Sequence, residues 1–269
     1  MTHGYRGTAL ITGASSGIGA VYAERLARRG YDLILVARNR DRLIALAQRI
    51  TNETQRSVEV VGADLNDRAD LAAVEAILKH DASITLLVNN AGVGTHTPLL
   101  ESDVDAMTRL IELNVTALTR LTYAAVPGFV ARGTGAIINV SSIVAISPET
   151  LNGVYGGSKA FVLAFSQSLH HELADKGVQV QAVLPGATAT DFWETGGLPI
   201  EHLPKAIVMS AQDLVDAALT GFDRHELVTL PSLHAGEEWE AYETARRTMA
   251  PHLSSSIPAA RYVTAQRNA

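Results

Sequence analysis

Within the stretch SSIVAISPETLNGVYGGSK (141–159), a serine, a tyrosine and a lysine fall close together. Ser142 precedes Tyr155 by thirteen positions, and Lys159 follows that tyrosine by four. Residues four apart share one face of a helix, so tyrosine and lysine can be neighbours. A phenol with an ordinary pKa near ~10 is a poor base at neutral pH, and a nearby ammonium favours its ionised form. A serine hydroxyl at the C-terminal end of a strand can donate to a substrate oxygen and stabilise the charge that develops there. Together the three groups suit the proton that a carbonyl oxygen needs once hydride has reached its carbon. The same residues also suit a partly exposed Tyr–Lys pair and a serine that only caps a turn. The rest of the chain decides between the two.

The elements that must position these residues alternate along the chain. TALIT (8–12), DLILVA (32–37), SVEVVG (57–62), ITLLVN (84–89), GAIINVS (135–141), VQVQAVL (178–184) and ELVTL (226–230) read as strands. Their near-continuous apolar character predicts burial on both faces. Helical periodicity fills the intervals, including one long segment over 103–126 and another over 157–177, with Gly30 and Gly177 where helices end. Such alternation predicts an α/β fold: a doubly wound, Rossmann-type parallel sheet of about seven strands, with helices on both faces in three layers. No linker or repeat interrupts it, so a single domain over 1–269 is expected. Two stretches fall outside the rhythm, a Gly- and Pro-rich flap at about 191–208 and a tail from about 251 to 269 that reads as extended.

Directly after the first strand, TGASSGIG (12–19) sets Gly13, Gly17 and Gly19 at the start of a helix, with Ser15, Ser16 and Ile18 between them. Close backbone approach and free amide donors at a helix N-terminus are what a phosphate requires. The sequence resembles the classical short-chain dehydrogenase/reductase family. The resemblance is carried by TGASSGIG (12–19), NNAG (89–92), Asn114 inside a long helix, SS (141–142), YGGSK (155–159) and PG (185–186), in the family's order and spacing over roughly residues 8 to 230.

The resemblance implies an active site in which Tyr155 is general acid/base and Lys159 its activator, reaching the nicotinamide ribose. It makes Ser142, chosen over Ser141 by the thirteen-residue gap, the holder of the substrate oxygen, and Asn114 the anchor of a water leading to solvent. It implies cofactor contacts from Asp64 and Leu65 to the adenine, and from Asn90, Ala91 and Gly92 along the adenosine ribose. Pro185 and Gly186 would turn the chain beside the nicotinamide, where Thr188 and Thr190 would hold the carboxamide. The acid that family members specific for NAD carry would align with Ala37. Arg38 follows instead, and a cation there suits a 2′-phosphate, so NADP(H) is expected in preference to NAD(H).

Phe192, Trp193 and Ile143 would give a mostly apolar pocket, and Gly196-Gly197 a hinge. His96 could face substrate or simply be solvated. No arginine pair is placed for a carboxylate or phosphate, so a moderately hydrophobic ketone, aldehyde or secondary alcohol is the expected partner. The resemblance further implies a homodimer or homotetramer packed through the helices at 103–126 and 153–176. A net charge of −6 argues against nucleic acid and anionic membranes as partners, and the absence of cysteine removes thiol chemistry. HHEL (170–173) lacks the second histidine of a zinc helix, so no metal is expected. No basic, apolar leader is evident at the N-terminus and no apolar run is long enough for a bilayer, which points to the cytoplasm. An epimerase-like enzyme on the same cofactor, or a regulator that binds NADP(H) without turnover, are the alternative readings.

Overall fold

The computed structural model describes residues 4–263. Its contacts fall into two compact units, Met1–Ser232 and Leu233–Ala269.

The first unit is built on strands β1 (Thr8–Thr12), β2 (Asp32–Ala37), β3 (Val58–Gly62), β4 (Ile84–Asn89), β5 (Gly135–Val140) and β6 (Val178–Val183), with two-residue strands β7 (Thr188–Ala189), β8 (Met209–Ser210) and β9 (Val228–Thr229). Its helices are α1 (Gly17–Arg28), α2 (Arg40–Thr54), α3 (Arg68–His80), α4 (Val104–Ile111), α5 (Leu118–Arg132), α6 (Gly153–Leu173), α7 (Phe192–Thr195) and α8 (Ala211–Asp223). Seven strands form one parallel sheet in the order β3-β2-β1-β4-β5-β6-β9. This is the doubly wound Rossmann-type sheet that the alternation predicts.

Side chains alternate between the two faces, as strand geometry requires. In β2, Leu33 and Leu35 join α1, α2 and α8 in one core, while Ile34 and Val36 join α3, α5 and α6 in the other. Covering both faces is why these strands read as near-continuous apolar runs. Each fully buried Leu or Ile contributes on the order of 2 kcal/mol. β3 departs from the pattern: it is an edge strand and stays partly exposed. Between the layers, the Asn89 amide donates to Thr122 (3.1 Å) and Asn139 (2.9 Å), and the Asn139 amide to Ser166 (2.9 Å). These buried bonds tie β4 and β5 to α5 and α6.

The chain reverses direction of winding between β1 and β4, which lie side by side. The loops leaving their C-terminal ends therefore part to opposite faces and open a crevice, the usual ligand site of such sheets. Gly30 and Gly177 end their helical segments with φ of +99° and +71°. The helix expected over 103–126 is interrupted. A π turn at Glu112–Ala117 separates α4 from α5, which then runs on to Arg132. β7 and β8 pair with each other outside the main sheet and tie together the two ends of the 191–208 flap. Two-residue strands leave no periodicity to read.

The second unit consists of α9 (Gly236–Met249) followed by short 3-10 turns at Ala250–His252 and Ala260–Tyr262. In α9 the Trp239 and Tyr242 rings stack at 5.3 Å, and Arg246 forks onto Glu243 at 2.9 and 2.8 Å. Residues 251–263 are exposed, and 264–269 of the tail lie outside the described residues. Among the described residues, no helix is long and apolar enough to cross a membrane.

Candidate active site

The crevice begins at the glycine loop. Gly13 holds φ +65°, and a Cβ there would stand 2.8 Å from both Ala91 Cα and Asn90 Nδ2. A Cβ on Gly19 would collide with the Gly13 carbonyl. Two glycines therefore let the loop press onto the segment after β4. Thr12 fastens the contact: its Oγ1 accepts from the Asn90 and Ala91 amides, each at 3.0 Å. The Asn90 side chain donates back to the Thr12 and Gly13 carbonyls at 2.9 and 3.1 Å. Asn90 is thus a brace for the loop. Thr12 belongs to the quoted motif, but its role as a hub is visible only in the tertiary contacts.

Several observations test whether a dinucleotide fits this crevice. Ser16 stands at the N-cap of α1 without capping it, and the first turn of α1 carries no acid. Asn39, Asp67 and Asn152, by contrast, cap α2, α3 and α6 with their side chains. Ser15, Ser16, Gly17 and Ile18 are partly open to solvent, which leaves the loop and the helix N-terminus accessible to an anion. Arg38 is exposed at the C-terminal end of β2, with no ion pair or hydrogen bond among the described residues. Asp64 forms an Asx turn to Asn66 (3.0 Å), Leu65 is buried, and the Asn66 Oδ1 is buried without a partner. The residues present fit the group.

Across the crevice, α6 buries both Tyr155 and Lys159. The Lys159 Nζ lies 6.0 Å from the Tyr155 ring centroid and donates to the Val140 carbonyl at 2.9 Å. It also stands beside Gly92, where a Cβ would come within 3.4 Å of it. Burial pushes the Tyr155 phenol up to about 12, and a hydrogen bond with Ser142 only partly offsets this. Burial pulls the Lys159 ammonium down to about 8. Desolvation thus outweighs the pull of the ammonium on the phenol that the i, i+4 spacing suggests. Of the two adjacent serines, Ser142 is the one beside Tyr155, whereas Ser141 donates to the Lys159 carbonyl at 2.7 Å. Ser142 Oγ also accepts from Val144 N at 3.3 Å and approaches the Pro185 carbonyl at 3.4 Å.

Asn114 sits in the π turn, almost fully buried. Its side chain pairs with Val93 in both directions, accepting from N at 3.0 Å and donating to O at 2.8 Å, and donates to Ser158 Oγ at 3.1 Å. Ser158 in turn donates to the Tyr155 carbonyl at 2.8 Å. The widened turn brings Asn114 to the loop after β4, a common use of π turns at functional sites.

The flap lies over Tyr155. The Phe192 ring is 5.8 Å from the Tyr155 ring, tilted by 47°. The Trp193 indole donates to the Thr188 carbonyl at 2.9 Å, and Thr190 meets Gly17 of the glycine loop. His96 Nδ1 bonds the Gly196 carbonyl at 2.8 Å, and Gly197 has φ +84° against the same imidazole. Trp193 and His96 therefore hold the flap in place. Asp191 pairs with Arg42 of α2 at 3.1 Å, a contact between residues 149 apart that no local pattern signals. Ile143 lies toward the turn at Pro185 and Gly186, its amide donating to the Pro185 carbonyl at 3.0 Å. Thr188 Oγ1 donates to the Gly186 carbonyl at 3.0 Å.

The chain is similar to known proteins of one family. The short chain dehydrogenase family matches over residues 7–197. A short-chain dehydrogenase from Sphingobium yanoikuyae, solved in complex with NADPH, is 51% identical over 96% of this chain and 100% of its own, with a TM-score of 0.93. A bulky-bulky ketone specific alcohol dehydrogenase from Comamonas testosteroni is 46% identical over 96% of this chain and 99% of its own, with a TM-score of 0.89. A very-long-chain 3-oxoacyl-CoA reductase from Bos taurus is 33% identical over 82% of this chain and 72% of its own length.

Proposed function

The chain belongs to the short-chain dehydrogenase/reductase family of oxidoreductases, and on that premise we propose that it reduces bulky, apolar ketones to secondary alcohols with NADPH. The observation that carries this reading is the buried Tyr155–Lys159 pair with Ser142 beside the phenol, across the crevice from the glycine loop. The relatives support the cofactor and the substrate class: one was solved with NADPH, another is specific for bulky-bulky ketones.

NADPH supplies the hydride when bound. The glycine loop and Arg38 would hold its phosphates, and Asp64, Leu65 and Gly92 would flank its adenosine. Ser142 and Tyr155 take the carbonyl oxygen between their hydroxyls, and the charge developing on that oxygen is met by two donors in a site the flap shields from water. Tyr155 then passes its proton to the oxygen. Held near 12, the phenol stays protonated at neutral pH, which favours its use as an acid in reduction. Lys159 lies close enough to the Tyr155 ring to replenish that proton through a water, and its ammonium would also hold the cofactor's ribose. The Asn114 amide is committed to Val93 and Ser158, so a water anchored there would meet its main-chain carbonyl. The direct test is NADPH consumption with a panel of ketones of graded size.

Arg38 carries the cofactor preference in this proposal. A charge-assisted bond to a 2′-phosphate contributes about 1.5–3 kcal/mol, so Arg38→Ala should weaken NADPH binding roughly 10- to 100-fold. NADH binding should change little. Equal losses for the two cofactors, read by equilibrium fluorescence titration, would contradict the assignment.

We further propose a homodimer or homotetramer. Tyr123 of α5 is 69% exposed and stacks on Phe165 of α6, which stacks on Phe161. An aromatic ladder on an outer helical face is costly in water and gains by covering. Elution of the purified protein as a monomer on a sizing column would overturn this.

A further inference from the structure

Gly94, in the loop after β4, is a glycine for reasons of space. Its φ lies outside the left-handed region that glycine alone favours. A Cβ there, however, would collide with Phe192 Cζ and stand 3.0 Å from Phe192 Cε2 and 3.1 Å from Tyr155 Cε2. The missing side chain creates a notch between loop and catalytic tyrosine, and the Phe192 ring fills it. Around the notch the contacts are apolar: Leu110, Val144, Val93 and Leu151 belong to the same cluster as Tyr155 and Phe192. What this chain stores against the flank of its proton donor is therefore a phenyl ring, over a main-chain floor and beside another aromatic.

We infer that the Gly94 notch is an aryl subsite, with Phe192 as its resting occupant. The ring of an aryl ketone takes Phe192's place when its carbonyl reaches Tyr155. This deepens the ketone-reductase reading and rests on it for the reaction. Displacement needs only rotation of the Phe192 side chain. The flap stays held on either side by the Trp193 indole on Thr188 and by His96 on Gly196. One tilted aromatic contact with Tyr155 replaces another, which offsets part of what Phe192 gives up on leaving the cluster. A branched alkyl group regains no such contact.

Trp193 reports the exchange directly, because its indole packs edge-on against Phe192 at 5.8 Å. Trp239→Phe removes the other tryptophan of the chain. In that background, propiophenone should change Trp193 emission saturably without cofactor, and pentan-3-one should need at least about tenfold more for half-saturation. Gly94→Ala should raise the propiophenone half-saturation at least about tenfold by filling the notch. In turnover, the propiophenone to pentan-3-one ratio of kcat/KM should fall by a similar factor in Gly94→Ala, through KM. It should rise in Phe192→Ala, where the seat stands open. No saturable emission change, equal half-saturation with and without the added methyl, or unaltered selectivity in Phe192→Ala would each overturn the aryl subsite. Should Gly94→Ala fail to fold, the emission titration and the Phe192→Ala ratio decide. An emission response without turnover of any ketone would sink the reductase reading and leave the subsite standing, and turnover without the response would do the reverse.

Discussion

Tyr155→Phe is expected to lower kcat for ketone reduction by roughly a thousandfold, the scale of a lost general acid. The substitution removes only the hydroxyl. The ring remains in its buried seat against Phe192, so folding and NADPH affinity should stay close to wild type. The loss should therefore appear in kcat and kcat/KM together, as for an interaction made only in the transition state. The pH profile gives a second reading. With the phenol near 12 and the ammonium near 8, kcat/KM for reduction should be level up to about pH 8 and fall above it as Lys159 deprotonates. Residual kcat within tenfold of wild type in Tyr155→Phe would remove the tyrosine from the chemistry. A profile with no break near 8 would remove the lysine from it.

Lys159→Met should abolish turnover to a similar extent while changing how stability depends on pH. In the folded protein the ammonium is pulled from an ordinary 10.5 down to about 8 by burial. Below pH 8 it is charged in both folded and unfolded states, and the burial penalty is felt in full. Between about 8 and 10.5 the unfolded chain binds more protons than the folded one, so stability rises with pH as the penalty is relieved. Above 10 the trend reverses, since Tyr155 is raised to about 12 and the folded state then binds the extra proton. From pH 8 to 10 the wild type should gain about 2–3 kcal/mol from this lysine, which Lys159→Met should not show. Denaturant unfolding of both proteins across that range measures the difference directly. Parallel curves would show that the lysine is better solvated than its burial implies. A buried charge held at a cost to the fold is an expected signature of a functional site.

The parts of this protein that were legible in the chain are those governed by local periodicity. β2 reads as apolar from Leu33 to Ala37 because α1, α2 and α8 cover one face while α3, α5 and α6 cover the other. The glycine loop is legible because no other residue fits at Gly13 and Gly19. Tyr155 and Lys159 are legible because 3.6 residues per turn brings i and i+4 together. The π turn at Glu112–Ala117 was not, since one extra residue in a turn leaves the apolar pattern of the helix nearly unchanged.

Sequence by itself thus determined the parallel doubly wound sheet, the glycine loop and the proximity of phenol and ammonium, all set by steric rules acting over a few residues. Only the tertiary structure decided how those groups behave. Burial raises the pKa of the Tyr155 phenol and lowers that of the Lys159 ammonium, and burial is set by every element packed around them. The bracing of the glycine loop by Thr12 and Asn90 joins positions nearly eighty residues apart. The Gly94 notch filled by Phe192 joins loop, flap and α6. Such contacts pair residues whose separation along the chain is arbitrary, and packing alone selects them.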